Sequence, residues 1–243
     1  MRVLILGGTG EARELAARLV AAGTDVLSSL AGRVRQPRLP DGPRRVGGFG
    51  GADGLAAFLG EEGITHVIDA THPFAGAISA NAARAALGAG VPRLVVRRPE
   101  WETDPSWLTA EDVRAAAETV RAWPGDGVFL TTGRRDLDAF AADDGHRFLV
   151  RTVDPPSGAV PRSMTLILDR GPYTVEGESA LLRDHRIGLL VTKNSGGPAT
   201  AAKLRAARDL GVQVVMVRRP PLPPGSTVVA TVPAALRWVS GQP

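Results

Sequence analysis

Three short stretches hold most of the residues here that could do chemistry. "DATHPFA" (69–75) places a carboxylate, a hydroxyl, an imidazole and a proline in succession at the end of an apolar run. It contains one of only four histidines in the chain. "VTKNSGG" (191–197) offers Lys193, Asn194 and Ser195 as donors, and Lys193 is one of only two lysines, the other being Lys203. "LTTGR" (130–134) adds Thr132, Gly133 and Arg134. An ammonium, an amide, hydroxyls and a guanidinium in glycine-flanked turns suit a ligand bearing acidic groups, while the lone imidazole invites a catalytic reading. Each has a plain rival: a solvated strand-end lysine, or a histidine that fixes its own loop.

A second set of residues points to a nucleotide. "LGGTGEAR" follows the strand-like "RVLIL" and opens the amphipathic "EARELAARLVAAG", so Gly8, Thr9, Gly10, Glu11 and Ala12 stand where a helix N-terminus meets a pyrophosphate. The spacing departs from G-x-G-x-x-G. A register through Gly8 and Gly10 puts Arg13 in place of the third glycine, and Arg13 is expected to touch a phosphate or a substrate carboxylate. The next strand, "VLSSLAGR", has no acid at its end to take a ribose 2′-hydroxyl. Ser28, Ser29 and Arg33 suit a 2′-phosphate instead, which favours NADPH over NADH. "VGGFGG" (46–51) carries Phe49 and Gly50 and is either a backbone-and-aromatic wall for a flat ligand or a flexible connector.

Positioning these turns requires a regular frame. Strand and helix signals alternate from "RVLIL" to "LVVRRP", and again after a pause at 100–108, which predicts α/β architecture with parallel, doubly wound sheets. The pause divides the chain into domains 1–102 and 103–243. In the second half, helices are expected over "LTAEDVRAAAETVRAW", capped by Thr109, and over "RRDLDAFAAD". The end, "TVVATVPAALRWV", reads as a short extended segment and a helix. A slide of 121 residues lays "THPFAGAISANAARAALGAGVPRLVVRRP" onto "TKNSGGPATAAKLRAARDLGVQVVMVRRP", pairing His72 with Lys193. Two similar halves with a ligand cleft between them follow from that repeat.

Composition narrows the class. With 243 residues, 44% hydrophobic and 22% charged, the chain can bury one large core or two small ones. Apolar runs are strand-sized, well short of the ~20 residues that span a membrane. Zero cysteines exclude disulfides and thiolate metal sites, no metal is expected, and the cytoplasm is the default location. The net charge of +4 is carried by scattered arginines with 5% aromatic residues, which argues against a nucleic-acid partner. The sole tyrosine, Tyr173, has no lysine near it, so the Tyr-x-x-x-Lys pair of short-chain dehydrogenases is missing.

"ILGGTGEAR", "SLAGR", "GGFGG", "DATHPFA", "TTGR" and "VTKNSGG", the last followed by "AAKLRAARDLGVQVVMVRRP", together resemble the precorrin-6A reductase family of cobalamin biosynthesis. The likeness runs in order over nearly the whole chain. It implies two Rossmann-like domains flanking a cleft, NADPH held mainly by the first, and reduction of one double bond of precorrin-6A to give precorrin-6B. The substrate's acetate and propionate groups would give the arginines a purpose. On this resemblance Arg13, Phe49, Gly50 and Thr71 lie on the substrate side with Thr132, Gly133, Arg134, Asn194 and Ser195. Pro73 stiffens the turn, Phe74 offers a plane to the macrocycle, and His72 and Lys193 are the catalytic candidates. Protonation of carbon needs no dedicated side chain, because the conjugated ring stores charge. The expected partners are this polycarboxylate tetrapyrrole and neighbouring pathway enzymes. Two other readings stay open: a cobalt-precorrin-6A reductase, and a non-catalytic two-lobed module that senses NADPH or another small ligand.

Overall fold

The structure is a computed structural model that describes residues 1–32 and 37–241. The chain forms two compact units, residues 1–99 joined by the segment from Pro220 onward, and residues 100–219.

The first unit begins β1 (Arg2–Leu6), α1 (Gly10–Ala21), β2 (Asp25–Leu30), β3 (Arg44–Val46), α2 (Gly51–Glu61), β4 (His66–Asp69), α3 (Gly76–Gly88) and β5 (Arg93–Val96). Val3 to Leu6 are buried on both faces, as a central parallel strand requires. Leu15, Ala16 and Leu19 of α1, at helical spacing, cover Val3, Ile5, Ile68 and Leu94 on one face. On the other face, Leu55 and Leu59 of α2 and Ala82 and Ala85 of α3 cover Leu4, Leu6 and Val67.

After Pro99 the chain enters the second unit: β6 (Leu108–Ala110), α4 (Val113–Arg121), β7 (Gly127–Leu130), a 3₁₀ turn (Leu137–Phe140), β8 (Arg147–Thr152), β9 (Met164–Leu168), α5 (Val175–Asp184), β10 (Leu189–Lys193), a 3₁₀ turn (Pro198–Thr200), α6 (Ala202–Asp209) and β11 (Gln213–Val217). Past Pro220 it rejoins the first unit with β12 (Thr227–Val229) and α7 (Val232–Val239).

The sheets run β12-β5-β4-β1-β2-β3 and β6-β11-β10-β7-β8-β9, and all their pairings are parallel. Counted from its own central strand, each follows the doubly wound order 3-2-1-4-5-6. The expected fold class is therefore present. The expected boundary is not: residues 220–243 were placed in the second domain, but β12 pairs with β5 of the first. Val232, Ala235 and Val239 of α7 complete the α1 face of its core. Likewise β6, directly after the linker, takes the sixth place of the second sheet beside β11.

Three local expectations also change. Thr109 lies within β6, and the helix cap is Asp112, whose side chain accepts from Ala115 N at 2.8 Å. "RRDLDAFAAD" forms only the 3₁₀ turn rather than a helix. The 121-residue slide misplaces the turns: it carries Val95 to Met216, yet Val95 pairs with Asp69 while Met216 pairs with Thr192. Lys193 is thus the last residue of β10, whereas His72 stands three residues beyond β4. Among the described residues no helix is long and apolar enough to cross a membrane.

Candidate functional site

In open parallel sheets ligands gather at the carboxyl ends of the strands, and the singled-out turns lie there in both units. In the first unit, β1 runs into Gly7 and Gly8. Gly8 has φ 116°, a conformation L side chains rarely adopt, and a Cβ placed there would meet nothing within 4 Å. The turn is both strained for other residues and open in front. Thr9 pins it: its hydroxyl donates to Ala70 O at 2.7 Å and accepts from Ala12 N at 3.1 Å, capping α1.

Glu11 meets Arg98, whose Nη1 lies 3.1 and 3.0 Å from the two carboxylate oxygens. Burial raises the Glu11 pKa, but backbone hydrogen bonding and the Arg98 charge outweigh it and leave the carboxyl below its usual range. Arg98 thereby neutralises an acid that would otherwise oppose an anion at this helix end. The Arg13 guanidinium folds back over the turn, with Nη2 3.8 Å from a Cβ built on Gly10.

Ser28 and Ser29 are buried. The Ser28 hydroxyl has no hydrogen-bond partner among the described residues, and that of Ser29 accepts from Arg45 Nη1 at 2.9 Å. Arg33 lies outside the described residues. The Phe49 ring contacts Phe58 edge-on at 5.1 Å and carries the Arg45 guanidinium at 3.9 Å. Gly50, at φ 80°, makes the turn into α2.

At the end of β4 the buried Asp69 holds Thr71, accepting from its backbone N at 3.2 Å and its hydroxyl at 2.7 Å. The other carboxylate oxygen, Oδ2, is buried without a hydrogen bond among the described residues. His72 is exposed. Its Nδ1 accepts from Phe74 N at 3.3 Å, which places the proton of the neutral ring on Nε2. Pro73 and Phe74 are half-buried, and the His72 and Phe74 rings lie 5.9 Å apart.

In the second unit, β7 runs into Thr131 and Thr132. The Thr132 hydroxyl is buried with no partner among the described residues, and Gly133 turns at φ 100°. Arg134 Nη1 donates to Pro155 O at 3.4 Å. Because a 3₁₀ turn follows, this loop lacks the long helix that follows Gly8, so only the first unit joins a glycine turn to an α-helix N-terminus at its central strand.

Lys193 forms an ion pair with Asp136. The Asn194 side chain is engaged within the protein. Oδ1 accepts from Trp101 N at 2.9 Å, and Nδ2 donates to Glu100 Oε2 at 3.0 Å. Trp101 Nε1 in turn donates to Gly197 O at 2.8 Å, and Arg219 Nε to Asn194 O at 2.6 Å. These bonds fasten the loop that follows Lys193 and carries Ser195. Ser195, half-exposed, bonds Lys193 O through its backbone N at 2.7 Å. A groove of about 570 Å³ lined by Asp126, Arg147 and His185 lies at the opposite, amino-terminal edge of this sheet.

The sequence reading singled out the carboxylate of Asp69 but not its hold on Thr71, and it missed Asp136, Arg98 and Arg45. Rarity of lysine was the available signal for Asp136: a half-buried strand-end ammonium needs an acid, and "GRRD" supplies one on the neighbouring loop. Nothing local marked Arg98, whose partner lies 87 residues away, or the reach of Arg45 to Ser29, 16 residues earlier.

Comparison with known proteins bears on these turns. The model of the family described as precorrin-6x reductase CbiJ/CobK matches residues 2–240. A precorrin-6A reductase of Rhodococcus erythropolis is 54% identical, covering 98% of this chain and 97% of that protein. The solved structure "CobK precorrin-6A reductase" is 41% identical with a TM-score of 0.90, covering 99% of this chain and 96% of that one. A cobalt-precorrin-6A reductase of Salmonella typhimurium is 30% identical, over 90% of this chain and 87% of that protein.

Proposed function

Because the chain belongs to the precorrin-6x reductase family, it reduces a carbon–carbon double bond of precorrin-6A in cobalamin biosynthesis, and we propose that NADPH, held by the first unit, is the reductant. The higher identity to precorrin-6A reductases than to the cobalt enzyme supports the metal-free substrate.

The observation that carries the cofactor reading is the Gly8 turn. It joins an open, left-handed glycine to the capped N-terminus of a twelve-residue helix, where backbone N–H groups and the positive dipole end converge. A pyrophosphate fits that cradle. Thr9 holds the turn against β4, Arg98 cancels the charge of Glu11, and Arg13 adds a cation beside Gly10.

When bound, NADPH supplies a hydride to one carbon of the double bond. The neighbouring carbon takes a proton, which solvent can deliver to an extended conjugated ring. The chain's own share is binding, orientation and exclusion of unproductive geometries. His72 donates from Nε2 to a substrate carboxylate, with its ring fixed by the Phe74 N–H. Lys193, aimed by Asp136, and Arg134 supply further cations for acetate and propionate groups. The cysteine-free chain suits a cytoplasmic reaction, and the product passes to the next enzyme of the route.

Titration of the protein with NADPH and NADH, followed by nucleotide fluorescence, tests the cofactor assignment. Wild type should prefer NADPH. Gly8→Val should weaken NADPH binding by more than about tenfold while circular dichroism stays native, because the new side chain fills the cradle and strains its φ. Unchanged affinity in a folded Gly8→Val protein would remove the turn from the cofactor site.

A further inference from the structure

Among the described residues, Arg45 is a charge without an acid. Arg2, Arg18 and Arg98 in the same unit each pair with a carboxylate. Arg45 has only neutral partners among the described residues. Its Nη1 donates to Ser29 Oγ at 2.9 Å and Gly47 O at 3.1 Å, its Nη2 to Gly48 O at 2.9 Å, and its guanidinium carbon lies 3.9 Å from the centre of the Phe49 ring. Partial burial lowers its pKa, with no acid offsetting the shift. These bonds leave Nε–H and one Nη2–H of the fork for another acceptor.

The sheet register gives this cation an address. Ser29 sits between Leu6 of β1 and Arg45 of β3, and Gly7 N donates to Ser29 O at 2.9 Å. The glycine turn, Ser29 and Arg45 therefore occupy adjacent strands at the carboxyl edge, within about 10 Å, or two strand spacings. The Arg45 guanidinium reaches back over β2, the strand whose end commonly receives the adenosine ribose, and the sequence after that strand, "AGRVRQPRLP", contains no acid to repel an anion.

We infer that Arg45 is the specificity-determining residue that binds the cofactor's 2′-phosphate, using its fork on the phosphate oxygens with Phe49 behind it. The inference rests on the NADPH reading above and extends it from a pyrophosphate cradle to a choice between two cofactors. Its rival is a purely structural Arg45 that clamps Gly47 and Gly48.

Calorimetric titration of the full chain with 2′,5′-ADP and with 5′-AMP, which differ by one phosphate, separates the two. Wild type should bind 2′,5′-ADP more tightly. Arg45→Met should lose that preference by about tenfold to a hundredfold, the usual effect of removing a charged hydrogen bond, while 5′-AMP affinity stays within about twofold. Arg45→Gln keeps amide donors for the loop carbonyls but no charge, and it should lose the preference as well. If the methionine variant does not fold, the glutamine variant decides. A folded variant that retains the preference for 2′,5′-ADP overturns the role of Arg45 and leaves the NADPH reading standing. Wild type with no preference between the probes overturns both.

Discussion

Replacing Lys203 with methionine should make the protein more stable near neutral pH and leave it no more stable near pH 10. Lys203 is 4% exposed, donates from Nζ to Thr200 O at 3.0 Å, and lies 4.7 Å from the centre of the Trp101 ring. Burial, followed by the Arg151 charge, lowers its pKa from 10.5 to about 7, with Glu178 opposing. At about 1.4 kcal/mol per unit, that fall corresponds to about 5 kcal/mol of stability that the wild type lacks below pH 7. The sign follows from proton counts. Between pH 7 and 10.5 the unfolded chain holds a proton that the native state does not, so wild-type stability rises across that window. Methionine removes the penalty but loses a hydrogen bond worth about 1 kcal/mol and a cation–π contact worth about another. The net gain should be about 3 kcal/mol at pH 6.5, fading to nothing or a small loss by pH 10. Urea titrations of both proteins from pH 6 to 10, read by tryptophan fluorescence, give the difference directly. A variant less stable than wild type at pH 6.5, or a difference that does not change with pH, would refute the reasoning.

Both nitrogens of the buried His146 ring face acceptors, Asp143 Oδ1 at 2.8 Å and Trp123 O at 3.0 Å, so the bonded ring is an imidazolium. Burial lowers its pKa, but the Asp143 hydrogen bond, the Trp123 carbonyl and nearby carboxylates raise it above 6.5 overall. Its stabilisation is full below pH 6.5 and lost as pH rises through the elevated value. Thermal melts should therefore show His146→Ala more damaging at pH 5.5 than at pH 9. Arg151 holds the buried Glu178 through two bonds, one of them 2.9 Å, so Arg151→Met should cost about 3–5 kcal/mol, and adding Glu178→Leu should recover much of it in a double-mutant cycle. Ala235→Asp puts a carboxylate into the α1 face of the first core. Hydrogen exchange should then lose protection in α1 and β5 while β7 and β10 keep theirs; a loss confined to the second sheet would contradict the placement of α7.

Much of the frame was legible along the chain because its signals are local. Four apolar residues in a row mark a strand buried on both faces, and Leu15, Ala16 and Leu19 share one side of a helix. A glycine between strand and helix marks a turn at the ligand edge. The loops that carry Gly8 and Thr132 and the one that follows Lys193 were found in this way, and the His72 loop by its acid, hydroxyl, imidazole and proline at a strand end. Motifs spread through the whole chain added the family, which no single turn could supply.

What escaped depends on partners far away in the chain. The three-residue β6 carries too little periodicity to declare itself, and although β12 reads as a short extended segment, the sheet each joins is set by which unfinished core their helices can cover. Asn194 reads as a ligand donor, and only the fold shows that its oxygen accepts from Trp101 N, 93 residues earlier, and that its nitrogen donates to Glu100. Lys193 gains its orientation from Asp136, 57 residues away. Sequence by itself determined the strand–helix rhythm, the glycine turns and the family, because burial period and backbone freedom are properties of neighbouring residues. Only the tertiary structure decided which unit owns the C-terminal helix and which polar side chains are already spent, because hydrogen bonds and cores are completed by groups that the chain order keeps apart.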